Sequence, residues 1–426
     1  MRWKLPTVIT TLQGGIKAHL LWPTASGWVA LAMAMASLLI AGLVPTLTAC
    51  LLSSGLWALL VASAALTVTA LGQITVTREP TPDGVVGQLL PLAVVVHNPR
   101  RLAVRGLVVL TDCPFARETT VATLLDLVPG RGGRRVVHTV LAVRRGVWRL
   151  TGVCVRAGDP AGLFYRERVC PCPAELVVHP ERVPLARLPL HLRDRVVAAP
   201  MGQAIGVSGQ GQDLFGVREY RPTDGVRVVH WKASARHQRL MVREFEESTI
   251  HQVSILLDCQ AAAVSVPAES SNFEYQVRVA ASLLDYLGGM YCRVLFQVGS
   301  GGTAQRFTGP SQAVRHETAL PLATVQPGAC DLADLLAETY ELISPNSIVY
   351  FLTLHEAKGA LELLQLLLRQ RVDVRWLHAP PALFAGAADE QRTAAVYEFA
   401  AKRRRLLQPV ILHPRSNLAA LLAQDA

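Results

Sequence analysis

Residues 26–44 read SGWVALAMAMASLLIAGLV, and residues 50–71 read CLLSSGLWALLVASAALTVTAL. Each run is long enough to cross about 30 Å of hydrocarbon as an α-helix. No Asp, Glu, Lys or Arg occurs between Ala18 and Thr77, and Pro45 lies where a helix would end and turn. A backbone in lipid must satisfy its own hydrogen bonds, so two helices joined by a tight turn are the natural structure. The sequence therefore predicts a transmembrane helical hairpin.

The apolar runs have two other interpretations, a buried hairpin of a soluble protein and a cleaved signal peptide. A soluble hairpin normally has a polar face, which is missing here. A signal peptide has a short basic leader, whereas this apolar run begins only near residue 26. Basic residues flank the two runs and the turn between them is uncharged. The positive-inside rule therefore places both termini and the soluble domains in the cytoplasm.

Charge is sparse in this chain and unevenly placed. Of 426 residues, 17% are charged and 51% are hydrophobic, with a net charge of +10 and a mean hydropathy of +0.30. Residues 78–200 carry a net charge of +8, whereas residues 201–426 carry −1. Basic residues next to a bilayer are attracted to anionic headgroups by about 1 kcal/mol each. We therefore expect the lipid bilayer as a partner, and no nucleic acid, because no nucleic-acid-binding motif accompanies the charge.

The pattern changes twice beyond the apolar runs. Short apolar runs separated by turn residues follow first, and they are typical of a β-sandwich. Later, continuously apolar strands alternate with helical segments, which predicts a doubly wound α/β domain with a parallel sheet covered on both faces. The predicted organisation is a cytoplasmic segment (1–25), two transmembrane helices (26–72, with spans 26–44 and 50–71), a β-sandwich domain (73–185), a linking segment (186–250) and an α/β domain (251–426).

The linking segment carries the densest polar pattern of the chain. It contains GVREYRPTDGVRVVHWKASAR at residues 216–236 and VREFE at residues 242–246. This pattern, at residues 209–246, resembles the signature of the bacterial domain of unknown function 58 family, and with the apolar spans and the β domain the resemblance extends over nearly the whole chain. Two stretches of the β domain agree with it, RRGVW at 144–148 and DPAGLF at 159–164. The signature residues are Arg218, Glu219, Tyr220, Pro222, Asp224, Arg227, His230, Trp231, Lys232, Ser234, Arg236, Arg243 and Glu244.

The resemblance implies a von Willebrand factor A-like C-terminal domain, a fold used for binding, in a protein of the bacterial inner membrane. It also implies protein partners, namely a MoxR-type AAA+ ATPase or a transglutaminase-like membrane protein. We therefore expect a non-catalytic, membrane-anchored adaptor protein with no cofactor and no catalytic residue. A cell-envelope enzyme with its domains outside the membrane is an alternative.

The charged signature has two interpretations. Opposite charges at this density in a partly buried junction would form a paired network, with Tyr220 and Trp231 as apolar anchors. Alternatively, the segment is an exposed binding surface for a protein, because Arg, Tyr and Trp are enriched in interface hot spots. The two interpretations do not exclude each other.

Asp258 ends the first predicted strand of the α/β domain and is the metal candidate of the chain. A metal-ion-dependent adhesion site has the pattern D-x-S-x-S, but Gln260 and Ala262 stand where the two serines belong. The segment after the strand at 348–352, TLHE at 353–356, also lacks the expected Asp. We therefore expect no bound metal, with Asp258 capping a helix or pairing with a neighbouring cation. A metal-dependent binding protein is the alternative.

Overall fold

The computed structural model describes residues 21–44, 46–186, 188, 208–220, 229–246, 252–266, 270–300, 302–384, 390–403 and 407–424. The chain divides into two compact units, Met1–His179 and Pro180–Ala426. The sequence placed the end of the β-sandwich domain at residue 185, whereas the last strand of the first unit ends at His179.

Two apolar helices lie in the first unit, α1 (Ala25–Leu43) and α2 (Leu47–Ala70). The threonines before them, Thr24 and Thr46, are N-caps whose side chains accept an N–H from the first turn. Because of these caps, both helices begin slightly earlier than predicted. Both are long and apolar enough to cross a membrane, and most of their side chains are exposed, unlike those of a core helix.

The first unit also contains two β-sheets. Their strands are β1 (Leu21–Pro23), β2 (Thr75–Arg78), β3 (Gly84–Val85), β4 (Leu89–Asn98), β5 (Val104–Asp112), β6 (Thr120–Val128), β7 (Gly132–Leu141), β8 (Gly146–Gly158) and β9 (Phe164–His179). One sheet has the order β1-β9-β8-β5-β6, with β3 also beside β9, and the other has the order β2-β4-β7. Val94 and Val136 of the second sheet share one apolar core with Val109 and Val155 of the first. The unit is therefore a β-sandwich attached to a helical hairpin.

A loop of the β-sandwich, residues 159–164, joins the strands to the helices. Asp159 is buried, and its carboxylate accepts a hydrogen bond from the Ser63 hydroxyl on α2. The same carboxylate accepts the main-chain N–H groups of Ala161 at 3.0 Å and Phe164 at 2.7 Å. A buried carboxylate needs such donors, so this loop is fixed against the second helix.

The loop also approaches the backbone of α1. The main-chain N–H of Thr24 donates to the Leu163 carbonyl at 2.8 Å. A Cβ atom at Gly27 would lie 2.0 Å from that carbonyl oxygen, so only glycine fits there. Leu163 packs with Ala34 and Leu60 of the two helices in a small apolar cluster.

Arginines of the β-sandwich surround the carboxyl end of α2. Cations are favourable there, because the last carbonyls of a helix have no partner within the helix. The pairs of guanidinium donor and carbonyl acceptor are Arg100 with Thr69, Arg166 with Val68 and Arg168 with Leu71. Part of the surplus positive charge is therefore used at this helix end.

The second unit begins with the linking segment and continues into a larger sheet. The linking segment forms β10 (Ser208–Glu219), α3 (Trp231–His237) and β11 (Met241–Glu246). The larger sheet contains β12 (Gln252–Leu257), β13 (Arg293–Ser300), β14 (Thr303–Pro310), β15 (Ile348–Thr353), β16 (Asp373–His378) and β17 (Val410–Ile411). The helices are α4 (Asn272–Leu287), α5 (Ser311–Glu317), α6 (Ala319–Thr324), α7 (Leu332–Thr339), α8 (Leu361–Arg369), α9 (Pro381–Phe384), α10 (Glu390–Ala401) and α11 (Leu418–Gln424).

The larger sheet has the order β14-β13-β12-β15-β16-β17 and is parallel except for the edge strand β14. Every residue of β12 is buried. Ile255 packs with Phe273 of α4 in one apolar core, and Leu256 packs with Leu336 of α7 and Leu364 of α8 in another. The sheet is therefore covered on both faces.

The chain leaves β12 toward β13 on one side and later returns to β15 on the other. The carboxyl ends of β12 and β15 therefore flank a topological switch point. Open α/β sheets bind their ligands in the crevice at this position.

Candidate functional site

The signature residues lie on an antiparallel pair of strands and a short helix. Strand β10 pairs with β11, so that Glu219 is opposite Met241. Helix α3 begins after His230, whose ring nitrogen Nδ1 accepts the N–H of Ala233 at 3.1 Å. This histidine is an N-cap, a structural role that satisfies one free donor of the first turn.

Ser234 fastens α3 to β11. Its side chain is buried, and its Oγ accepts the main-chain N–H of Met241 at 2.8 Å. The hydroxyl also donates to the carbonyl of His230 at 3.0 Å. One serine thus connects both ends of the turn, which accounts for a small hydroxyl residue at this position.

The exposed side of α3 bears on the two interpretations of the signature. Trp231, an apolar anchor in the first interpretation and part of an exposed binding surface in the second, has 64% of its surface exposed. Lys232 and Arg236 are also exposed. Arg239 donates to Glu219 at 2.8 Å, and both of these side chains are mostly exposed. The described part of the signature is therefore solvent-facing around Trp231, because α3 packs through Ser234 instead.

The other signature residues are placed as follows. Tyr220 is half-buried, and its main-chain N–H donates to the Leu240 carbonyl at 2.8 Å. In the ladder between β10 and β11, the main chain of Arg218 is opposite Val242. Arg243 and Glu244 are residues of β11. Pro222, Asp224 and Arg227 lie outside the described residues.

Asp258 lies at the switch point, directly after β12, and is fully buried. Its Oδ1 accepts the main-chain N–H of Gln260 at 3.0 Å. Its Oδ2 accepts the N–H of Leu354 at 2.9 Å and contacts Nδ1 of His355 at 2.8 Å. The aspartate therefore ties the end of β12 to the segment after β15 through the main-chain N–H of Leu354 and the imidazole of His355.

His355 is the titratable partner in this arrangement. Its hydrogen bond to Asp258 raises the pKa of the imidazole, against an opposing effect of burial. The side chain is 30% exposed. The fold thus supplies at least one donor to each oxygen of Asp258. Among the described residues, no group of three or more His, Cys, Asp or Glu side chains could hold a metal ion.

A cavity of about 400 Å³ lies beside His355. His378 also lines it, and burial lowers the pKa of that imidazole to about 4, so it is uncharged at neutral pH. The Nδ1 atom of His378 lies 2.8 Å from the Thr353 hydroxyl oxygen, which accepts Nε1–H of Trp376 at 2.8 Å. Two imidazoles, one with a raised pKa and one with a lowered pKa, thus line this cavity together with Glu356.

The sequence located Asp258 but did not identify its histidine partner. The two residues are 97 positions apart. Each of the two residues follows a buried parallel strand. Because parallel strands place their carboxyl ends at the same edge of a sheet, this pattern could have indicated that the two side chains lie close together. In the sequence, His355 belongs to the segment 353–356, which lacks the aspartate expected for an adhesion site.

Comparison with known proteins matches part of the second unit. The family model described as "Protein of unknown function DUF58" matches residues 216–288, from the end of β10 into α4. The uncharacterized protein YeaD of Bacillus subtilis (strain 168) is 31% identical over 154 residues, which are 34% of this chain and 34% of the relative. The chain thus matches about a third of the length of this curated relative.

Solved structures give only distant likenesses. The CARDB domain of a Pyrococcus furiosus protein, in complex with di-metal ions, is 16% identical and covers 26% of this chain and 94% of its own, with a TM-score of 0.19. A GH20 exo-β-N-acetylglucosaminidase of Vibrio harveyi is 10% identical and covers 55% of this chain and 39% of its own, with a TM-score of 0.15. Similarity at this level carries no argument about fold or activity.

Proposed function

We propose that this chain is a non-catalytic, membrane-anchored adaptor that holds a protein partner at the cytoplasmic face of the bacterial inner membrane. The observation that carries the proposal is the exposure of Trp231 beside Lys232 and Arg236 on α3. Trp and Arg are enriched in binding hot spots, and an exposed aromatic ring next to cations suits an acidic protein surface.

The anchor is the pair of apolar helices. Basic residues precede α1 and follow α2, and the turn between the helices is uncharged. By the positive-inside rule, this distribution favours cytoplasmic termini and domains. Protease digestion of spheroplasts tests this orientation against an envelope enzyme with external domains. Protection of the β-sandwich until the membrane is permeabilised supports the proposal, and cleavage in intact spheroplasts contradicts it.

The α/β domain is proposed to be von Willebrand A-like. In chain order its strands are arranged 3-2-1-4-5-6, the third being antiparallel, with helices on both faces. Together with the signature, this arrangement supports a binding module. The proposed partner is a MoxR-type AAA+ ATPase, and the alternative partner is a transglutaminase-like membrane protein.

The test is quantitative recovery of the ATPase with the tagged full-length chain after crosslinking in native membranes. Trp231→Ala and Arg236→Glu should each lower recovery at least tenfold, because truncating a hot spot costs about 2 kcal/mol or more. Tyr291→Ala and Arg306→Glu are matched controls, since both residues are exposed in the same unit. Equal losses in all four variants, or no ATPase recovered with the wild type, would contradict the proposal.

A metal-dependent binding protein is the second candidate, and the geometry supports it less. Asp258 is the acid it requires, but the two oxygens of Asp258 accept three hydrogen bonds from within the domain. A cation that binds only the folded state raises the unfolding temperature. A rise with Mg²⁺ in the wild type that is absent in Asp258→Asn would favour this second candidate.

A further inference from the structure

The interior of the β-sandwich divides into two apolar clusters with a polar layer between them. Along β5 and the residue that follows it, Thr111 lies between Val109 of one cluster and Cys113 of the other. Alternate residues of a strand face the same side, so Thr111 faces this interior too. His138 has the same place on β7, between a valine of each cluster. Thr111 is 0% exposed and His138 is 2% exposed, so both polar side chains are buried at one level of the core.

Arg78, the last residue of β2, places a positive charge in this layer. Its Nε donates to the main-chain carbonyl of Cys172 on β9, in the facing sheet, at 3.4 Å. Burial lowers the pKa of the His138 imidazole, and the charge of Arg78 lowers it further. Burial raises the pKa of the Cys113 thiol to about 12, against an opposing effect of Arg78. The guanidinium therefore lies between the two sheets, near β7 and the end of β5.

Four buried polar atoms of these side chains have no hydrogen-bond partner among the residues that the structure describes. They are Nη1 and Nη2 of Arg78, Oγ1 of Thr111 and Nε2 of His138. The other nitrogen of the imidazole, Nδ1, lies 3.2 Å from the hydroxyl oxygen of Thr123 on β6. In the tautomer whose Nδ1 accepts from Thr123, Nε2 carries a proton. All four atoms are then hydrogen-bond donors, and it is costly to leave buried donors unpaired.

The acids near this layer have partners of their own. Glu79, next to Arg78 in the sequence, pairs with Arg135 at 2.7 Å, and both of these side chains are exposed. Asp112 accepts from the Thr120 hydroxyl at 3.2 Å, and its charge acts on the neighbouring thiol less strongly than that of Arg78. In the described part of the chain, neither acid is bonded to Nη1 or Nη2 of Arg78. The layer therefore carries a positive charge that these carboxylates do not pair.

We propose that this layer binds a small monovalent anion of the size of chloride, which accepts from Arg78, Thr111 and His138. A guanidinium without a counter-charge is unfavourable between two apolar clusters, and the anion supplies that charge. A water molecule matches the site less well, because it accepts only two hydrogen bonds and needs acceptors for its own hydrogens. On each strand only one inward side chain separates the clusters, so the layer suits an ion better than an organic acid. The site does not depend on the protein-binding surface proposed on α3.

Thermal unfolding of the full-length chain in detergent tests the site, with chloride replaced stepwise by gluconate at constant ionic strength and pH. Gluconate is too large for the layer, so the unfolding temperature should rise with the chloride concentration, and bromide should act like chloride. In crystals grown with bromide, an anomalous peak should lie within hydrogen-bond distance of the Arg78 guanidinium. Equal unfolding temperatures in chloride and gluconate, or ordered water alone at this place, would overturn the proposal.

Two arginine variants separate this site from general effects of salt. Arg78→Met should abolish the dependence of the unfolding temperature on chloride. Arg135→Met is the matched control, since it removes an exposed arginine of the same β-sandwich and should keep that dependence. If both variants depend on chloride as the wild type does, the anion does not bind at Arg78.

Thr111→Val tests the site with a side chain of the same shape, and it also decides the matter if Arg78→Met does not fold. In gluconate, loss of an unpaired buried hydroxyl should leave the stability unchanged or raise it. In chloride, loss of one donor to the anion should weaken chloride binding about tenfold, so chloride should stabilise this variant less than the wild type. Wild-type dependence on chloride in Thr111→Val would contradict the proposal.

Discussion

Asp159 in the first unit and Asp258 in the second are both buried aspartates that accept three hydrogen bonds. The donors of Asp159 are a serine hydroxyl and two main-chain amides, none of which titrates near neutral pH. The donors of Asp258 are two main-chain amides and the imidazole of His355. In the first unit the buried aspartate thus holds a loop on the helices through donors that do not titrate. In the second unit it holds two strand ends together partly through a titratable imidazole.

Removing the hydrogen bonds of Asp159 should have the largest effect on stability. Asp159→Ala leaves the Ser63 hydroxyl, the buried N–H of Phe164 and the partly buried N–H of Ala161 without an acceptor, and each loss contributes to a total of about 3 kcal/mol of stability. Thermal unfolding of the full-length chain in detergent measures it. Asp126→Ala in the same unit is the matched control, since Asp126 is exposed. If both variants unfold like the wild type, Asp159 does not fix the loop to α2.

Asp258→Asn should destabilise the second unit by about 2 kcal/mol, which is less than the effect of Asp159→Ala. The amide keeps one oxygen that accepts hydrogen bonds, but its NH₂ group now faces an N–H donor. Unfolding is followed by hydrogen exchange, which reports the second unit separately through the amides of β12 and β15. Loss of protection confined to these strands is the expected pattern. Unchanged protection there would mean that Asp258 does not hold the two strand ends together.

The pair of Asp258 and His355 also predicts a pH dependence of the free energy of unfolding. The pKa of His355 is raised in the folded state, so its contribution to stability is complete below the unfolded pKa of about 6.5. This contribution is lost as the pH rises through the folded pKa. The wild type should therefore lose more stability than His355→Asn between pH 6 and pH 9. Parallel pH profiles of unfolding for the two proteins would show that the pair is not coupled to protonation.

The sequence predicted the helices better than it predicted the strands. The apolar runs at 26–44 and 50–71 define α1 and α2 because no charged residue interrupts them and a threonine caps each start. The alternating pattern of strand β9 is interrupted by Pro171 and Pro173, so the sequence does not indicate this strand. Pro171 pairs with Gly152 at a register shift between β8 and β9, a place where a strand tolerates proline.

For the site, the sequence located single residues but did not decide how deeply each side chain is buried. Asp258 was placed at the end of a strand and expected either to cap a helix or to pair with a neighbouring cation, and in the structure its side chain contacts His355. The sequence left two environments open for Trp231, an apolar anchor of the junction and an exposed binding surface. Its exposure depends on Ser234 taking the packed side of α3, which spacing along the chain does not reveal.

The carboxylate of Glu219 is exposed, and we expect its contact to have the smallest effect on stability. Glu219 accepts from Arg239 at 2.8 Å, but the two side chains are 60% and 73% exposed, so solvent screens the pair. Arg239→Ala should leave the unfolding temperature within error of the wild type. Ser234→Ala, which removes a buried hydroxyl from the same segment, should lower stability by about 1 kcal/mol. If Arg239→Ala destabilises as much as Ser234→Ala, exposure does not decide how much a carboxylate contact stabilises this protein.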